Sequence, residues 1–377
     1  MTSPFRDFVP FELERWQSRW EHATTHNLSE SGVQPLSPAE LFELTGEDPA
    51  PLLNLRLGYG QTNGTKRLRA AVAAKYPGAT PDNVLITVGS SEANFVSLWT
   101  MVGPGDRVAM QLPAYEQAWG LIQNLGGSLT PFHLMRGDTW TLDEAGVEAA
   151  ITSGTKLVFV TNPNNPTGHV LDEAERRAII ERADHHGAWL LADEVYRGAE
   201  LTGTATPSFW GTTERVIVTG GLSKAYGLPG LRIGWVVAPT SVIDAVVDRH
   251  DYAVIGPAVL SDAMAVIALT HESRLLQRTR HILNSNYAVV ARWFETLNGF
   301  FMWVPPRAGA IFLADYTADI AARDLVEMMR QDHDVLLVPG EQFHLERCLR
   351  FGYGYGQEGL VPALAAVKDG LRHLLTN

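Results

Sequence analysis

Residues 216–239, VIVTGGLSKAYGLPGLRIGWVVAP, carry only two charged side chains, Lys224 and Arg232, among apolar, small and hydroxylic neighbours. An amine in such company is expected to be partly desolvated, which lowers its pKa and frees it to attack a carbonyl carbon. The common product is a Schiff base with a carbonyl cofactor or substrate. Other residues suited to the same chemistry follow apolar runs upstream. Gly89-Ser90-Ser91 opens a helix-like stretch and suits a phosphate. Tyr115 offers a flat aromatic face, and Asn165 lies in the rigid turn NPNNPTG. Asp193 adds a carboxylate with Glu194 beside it, and Tyr196 adds a phenol. Each has an ordinary alternative: serines cap helices, tyrosines pack in cores, and Asn, Pro and Gly form plain turns. Asp193 could equally pair with a structural arginine. It is the set, in this order, that points to a site.

The elements that must position these residues alternate. Strand-like runs fall at 83–88, 107–112, 157–161, 189–192, 215–219 and 233–238, with helical stretches between them. The helix at 172–186 opens on Asp172 and Glu175 as a capping pair, and Gly187 stands where the chain must leave it. Near-continuous apolar strands alternating with helices imply an α/β fold with a mostly parallel sheet covered on both faces. Ligands of such sheets bind beyond the carboxyl ends of the strands, which places all the candidates on one rim. After Pro239 helices dominate, at 241–252, 258–270 and from 272 to about 297. Short strands are expected at 309–314, 335–338 and 349–351, and a closing helix at 358–375. The N-terminal region has an amphipathic stretch at 11–20 and a loop, LSESGVQPLS, at 28–37. The expected division is an N-terminal lid and small-domain segment at 1–45, a large domain at 46–275, and an α+β small domain at 276–377.

The bulk properties narrow the function. With 377 residues the chain is long enough for one large domain and a smaller one. A net charge of -12, with no basic run, argues against nucleic acid as a partner. The single cysteine, Cys348, excludes an internal disulfide framework and a cysteine-rich zinc site. No metal motif of the HExxH type occurs, and no metal is expected. The first twenty residues lack an apolar signal region, and no run approaches a membrane span, so a cytoplasmic location is expected.

Longer motifs add to this. They are Tyr59-x4-Gly64-x3-Leu68-Arg69, Asn162-Pro163-x-Asn165-Pro166-Thr167-Gly168, Asp193-x2-Tyr196, Ser223-Lys224 with Arg232, and Leu349-Arg350-Phe351. Over nearly its whole length the chain resembles the class I/II aminotransferases, pyridoxal-phosphate enzymes of fold type I. The resemblance implies pyridoxal 5'-phosphate held by Lys224 as an internal aldimine, the same lysine then moving the proton at the substrate Cα. It implies Asp193 at the pyridine nitrogen, Tyr115 on the ring face, and Asn165 and Tyr196 at the phenolic oxygen. Ser90, Ser91, Ser223 and Arg232 would bind the phosphate, joined by Tyr59 from the partner of a homodimer. Arg350 would take the α-carboxylate of an L-amino acid in a bidentate fork. Asn165 and the backbone near Gly32 would also face the substrate, and a 2-oxo acid would be the second partner.

One position departs from the family. Three residues before the lysine, where Ser or Thr is usual, stands Gly221, and Thr219 or a water is expected to replace the missing hydroxyl. LSESGVQPLS and LSKAYGLPGLRIGW are also similar to capreomycidine synthase, a cyclising family member. Transamination is therefore the first expectation, with elimination, replacement or cyclisation second. Rival classes fare less well. Gly89-Ser90-Ser91-Glu92-Ala93 approaches a serine-hydrolase elbow but lacks its second glycine. Gly354-Tyr355-Gly356-Gln357-Glu358-Gly359 fits a dinucleotide fingerprint, yet too little chain follows it for the required strand and acidic residue. A transcription regulator on the same fold would need a DNA-binding domain, for which the N-terminal segment has no room.

Overall fold

The computed structural model describes residues 7–375. The strands of its first half are β1 (His26–Asn27), β2 (Val84–Val88), β3 (Arg107–Leu112), β4 (Ser128–Arg136), β5 (Trp140–Leu142) and β6 (Thr155–Thr161). They are followed by β7 (Trp189–Asp193), β8 (Val216–Gly221), β9 (Ile233–Val237) and β10 (Phe301–Trp303). The last are β11 (Ile311–Tyr316), β12 (Val335–Leu336), β13 (Val338–Pro339) and β14 (Cys348–Gly352).

Eight strands form the main sheet, in the order β2-β9-β8-β7-β6-β3-β4-β5. The run from β8 to β4 is parallel, whereas β9 is antiparallel to both its neighbours and β5 to β4. Alternate residues feed two cores. Leu85, Val108, Leu157, Leu191, Ile217 and Val236 pack on one face, together with Val96 and Ile122 of the helices there. Ile86, Ala109, Val158, Leu190, Val218 and Val237 pack on the other, against Ile179 and Ala265. A sheet buried on both faces needs apolar residues at successive positions, which is why its strands were legible as continuous apolar runs.

The helix Glu173–His186 has the expected capping box between Asp172 and Glu175, and Gly187 ends it at φ 67. Beyond β9 come the helices Thr240–Ala253, Val259–Thr270 and Glu272–Glu295. The last leads into a four-stranded antiparallel sheet, β10-β11-β14-β13. An aromatic cluster fills the space between that helix and this sheet. Phe294 stacks on Trp303 at 4.5 Å, and Phe312 on Phe351 at 5.3 Å.

Four strands were not expected. β4 contains Pro131 and is only partly buried, features that read as a loop. Pro131 is tolerated because β5 pairs only with Leu134, Met135 and Arg136, leaving the outer side of β4 unpaired earlier in its length. The other three, β1 of two residues and β5 and β10 of three each, are too short to show a period. The run at 335–338 divides: β12 pairs with β1, and β13 with β14. The expected closing helix becomes Gln357–Gly370 followed by Arg372–Leu375. Among the described residues no helix is long and apolar enough to cross a membrane.

Through β1 and β12 the N-terminal segment joins the C-terminal part of the chain. We propose on that ground that 1–45 and 276–377 make up a smaller unit set against the large one at 46–275. The seam is tight: Gly352 donates its N–H to the Leu28 carbonyl at 2.6 Å, and a Cβ at Gly352 would lie 2.0 Å from the Glu30 carbonyl oxygen. Gly352→Ala should therefore cost about 1–3 kcal/mol of stability, as overpacking does. An unchanged midpoint in urea unfolding would show that the seam yields freely.

Candidate active site

The carboxyl ends of β2, β3, β6, β7 and β8 open on a cavity of about 250 Å³. It brings together Ser90, Ser91, Tyr115, Asn165, Asp193, Tyr196, Ser223, Lys224 and Arg232. A larger groove of about 820 Å³, beside Arg176 and Arg307, contains none of these side chains.

One end of the cavity is an anion cradle. The helix Gly89–Met101 starts directly at the end of β2, so its free N–H groups and Ser90 and Ser91 meet the cavity. Arg232, held at φ 52, lays its guanidinium against Gly89. A Cβ at Gly89 would lie 2.4 Å from Arg232 Nη2, and Gly89 itself has φ 79, so glycine is required twice over. Across the floor, a Cβ at Gly234 would lie 2.3 Å from the Gly89 carbonyl carbon. Gly221 packs in the same floor, where a Cβ would sit 3.1 Å from the Ile233 carbonyl oxygen and 3.5 Å from Ser90 Cβ. The expected stand-in, Thr219, does not serve the cradle. Its hydroxyl is buried and donates to Asn94 Oδ1 at 2.7 Å.

That bond belongs to a relay that sequence reading missed. Asn94 Nδ2 donates to Asp193 Oδ2 at 2.8 Å, and the Val195 N–H reaches Asp193 Oδ1 at 3.0 Å. Burial raises the Asp193 pKa, and these two hydrogen bonds only partly offset it. A cationic group opposite Asp193 would complete its pairing. The neighbouring carboxylate turns away. Glu194 accepts from Ser208 Oγ at 2.8 Å and the Phe209 N–H at 2.7 Å, while its second oxygen has no hydrogen bond.

Lys224 differs from expectation. Desolvation does pull its pKa down, but the charge of Glu30, together with Tyr196 and the hydrogen bond that the amine donates to Glu30, outweighs it and leaves the pKa raised. The amine lies 3.0 Å from Glu30 Oε1, and the Glu30 carboxyl is held down at about 2, chiefly by the Lys224 charge. Without a carbonyl partner, therefore, the amine is a paired ammonium. Nothing local in the sequence marks Glu30, which lies 194 positions from its partner.

Of the other candidates, Tyr115 and Tyr196 line the cavity, whereas Arg350 and Gly32 lie behind its lining. Tyr115 turns its hydroxyl to Glu14 and packs its ring edge-on to Phe11 at 5.1 Å. Burial raises the pKa of Tyr196, which shares a hydrogen bond with Ser31. Arg350 is buried; it donates to Asn165 Oδ1 at 3.2 Å and to the Ser29 carbonyl, and its Nε has no partner. Gly32 lies beside the lysine, since a Cβ there would be 3.6 Å from Lys224 Cδ. Tyr59 is not brought in: it is 97% exposed and outside the cavity. Glu92 bonds His250 at 2.9 Å on the buried side of its helix, but the other ring nitrogen of His250 holds the Thr62 carbonyl. No nitrogen of that histidine is left to serve Ser90 or Ser91 as a base.

Residues 52–367 match the family model for aminotransferase class I and II. The chain belongs to that family. Capreomycidine synthase of Streptomyces vinaceus is 33% identical over 95% of this chain and 93% of its own length. A solved pyridoxal-phosphate-dependent aminotransferase of Streptococcus suis superposes with a TM-score of 0.92 at 31% identity, covering 98% of this chain and 99% of that one. The pyridoxal-phosphate-dependent cyclase OrfR superposes at 0.91 with 28% identity, covering 99% of this chain and 100% of its own. The fold is fold type I, and the enzyme depends on pyridoxal phosphate. The geometry fits the cofactor at each end: an anion cradle that glycine keeps open, a buried carboxylate awaiting a cation, and an amine within the cavity.

Glu194 gives a pH test of this interior. Burial pushes its pKa up to about 7. The unfolded chain releases this proton near its ordinary value, whereas the folded one keeps it longer, so stability falls as pH rises between the two. In the cofactor-free enzyme Glu194→Gln should gain on the wild type by on the order of 2 kcal/mol from about pH 5 to about pH 7. Parallel stability curves from denaturant titration would contradict it.

Proposed function

We propose that the enzyme transfers the amino group of an L-amino acid to a 2-oxo acid. The observation that carries the reading is the assembly of Lys224, Asp193 and Arg232, from three separate strand ends, around one cavity. Pyridoxal phosphate, when bound, supplies an electron sink for the bond broken at the substrate Cα. Asp193 holds a proton at the ring nitrogen, and Asn165 and Tyr196 donate to the ring oxygen. Ser90, Ser91, Ser223 and Arg232 bind the phosphate, and Tyr115 faces the ring. Arg350 takes the substrate α-carboxylate, with its unpartnered Nε as the donor in reserve, and Gly32 lines the approach. Lys224 moves the proton at Cα.

A second reading, elimination or cyclisation, has its own support in the likeness to capreomycidine synthase and OrfR. Charge matching bears on the substrate in both. Once Asp193, Arg232 and Arg350 have their partners, Glu14 and Glu21 still face the cavity. Neither has an ion pair to lysine or arginine among the described residues. This favours a cationic side chain on the substrate and disfavours a dicarboxylate. Adding L-arginine, L-ornithine or L-aspartate to the yellow enzyme decides the matter. A bleach to the amine form of the cofactor, fastest with a basic donor and reversed by a 2-oxo acid, is expected. Release of ammonia or a cyclised product, without the amine form, would replace transamination with the second reading.

A homodimer with shared sites belongs to the same proposal. Leu53, Leu57, Tyr59 and Tyr252 are 87%, 78%, 97% and 87% exposed, an unusual density of large apolar residues. Their segments touch: Cβ atoms at Gly60 and Gly256 would meet Val259 and Thr62. A cytoplasmic location goes with a buried, unpaired Cys348. Light scattering should give the mass of two chains. Tyr59→Phe should weaken cofactor binding roughly ten-fold or more, the value of a hydrogen bond to a charged group. A monomer with unaltered cofactor affinity would remove the shared site.

A further inference from the structure

The family roles leave Glu30 unassigned, yet among the described residues it is the one side chain paired with the reactive amine. Its placement is built. Glu30 Oε1 accepts from the N–H groups of Ser31 and Gly32 at 2.9 Å each, and from Lys224 Nζ at 3.0 Å. Three donors converge on one oxygen, so the carboxylate has a fixed direction. The backbone beneath it is fixed as well. A Cβ at Gly354 would lie 2.1 Å from the Gly32 carbonyl oxygen, and one at Gly352 lies as close to the Glu30 carbonyl. Arg350, on the same strand as Gly352, donates to the Ser29 carbonyl. Residues 29–32 thus grip the amine with Glu30 and the carboxylate-binding arginine with Ser29.

We propose that Glu30 is a positioning residue for the reactive amine. Through one carboxylate oxygen it holds the Lys224 nitrogen against the N-terminal segment whenever that nitrogen is charged, and so ties the amine's reactivity to the seating of residues 29–32. The proton stays on nitrogen in the pair. To bond to a carbonyl carbon the ammonium must lose that proton to solvent and leave Glu30. Other groups around the amine are fewer and mixed in sign. Tyr196 and Tyr355 approach as neutral phenols, Arg350 opposes the charge, and Glu14, Glu21, Asp193 and Arg232 share the cavity. Of these only Glu30 bonds the nitrogen.

The inference rests on Lys224 being the cofactor lysine, and its test separates the two. The enzyme is stripped of cofactor, and recapture of pyridoxal phosphate is followed by absorbance from about pH 7 to about pH 11.5, because the paired amine titrates above the ordinary lysine value. Glu30→Gln keeps the acceptor for Ser31 and Gly32 but removes the charge. Burial then dominates, so the midpoint of the recapture profile should move down by a unit or more. At neutral pH recapture should quicken at least ten-fold, because each unit multiplies the neutral amine by ten. Glu43→Gln removes an equal charge from the exposed surface of the N-terminal segment and should leave the midpoint in place. Coincident profiles for wild type and Glu30→Gln, or an equal shift in Glu43→Gln, would overturn the role of Glu30. Glu30→Ala, read the same way, covers a Glu30→Gln variant that fails to fold. If the wild type captures no cofactor, or borohydride fixes it on another lysine, the reading of Lys224 itself fails.

Discussion

The close approach of the helix Gly89–Met101 to strands β8 and β9 sets the rest of the site. Two backbones can come so near only where side chains are missing, and the missing ones are those of Gly89, Gly221 and Gly234. From this one seating follow three consequences. The helix N-terminus and Arg232 face the same small volume, which makes an anion site. One turn further on, Asn94 comes level with the ends of β7 and β8 and links Asp193 to Thr219. On its other side Glu92 ties the helix to His250 and to the Val88 N–H. The orientation of the carboxylate therefore depends on the seating that makes the anion cradle.

The charges in this interior are only half matched by the protein itself. Asp193, Arg350 and Glu194 are buried, and each keeps an unfavourable pKa shift whose first cause is burial. Such groups cost stability when alone and repay it only when a counter-charge arrives. Glu194 is a structural case, settled by Ser208 and Phe209. Asp193 stands at the cavity and Arg350 just behind it, bonded to Asn165 of its lining, where a ring nitrogen and a carboxylate would complete them. A ligand bound by the folded state alone stabilises it by mass action, so cofactor and substrate are part of what holds this fold together.

Much of this was legible in the sequence, and the reason is local. A parallel sheet buried on both faces writes itself as apolar runs, and the candidate residues that line the cavity come soon after each run: Ser90 after β2, Tyr115 after β3, Asn165 after β6, Lys224 after β8. Asp193 closes β7 itself. What escaped depends on register and on distance along the chain. Asn94 lies four residues past Ser90, one helical turn, and Thr219 pairs with Asp193 across β7 and β8. Both follow from geometry once the strands are known, but neither residue type is unusual at its place. β4 escaped because Pro131 is harmless only where β5 has not yet joined.

Glu30 is the instructive failure. The apolar company of Lys224 correctly implied partial desolvation, its side chain keeping 25% of its exposure at the cavity, and desolvation alone would favour a free, nucleophilic amine. The inference assumed that no counter-charge would arrive from elsewhere, and for a buried cation that assumption is physically costly. A lysine enclosed by apolar strands has either to give up its proton or to find a carboxylate. Here the chain brings one from its N-terminal segment, on a backbone that glycines at 352 and 354 hold in place. The pairing keeps the amine charged while the site is incomplete. Desolvation on its own would make the lysine reactive at all times; the carboxylate makes its reactivity conditional on what the N-terminal segment does.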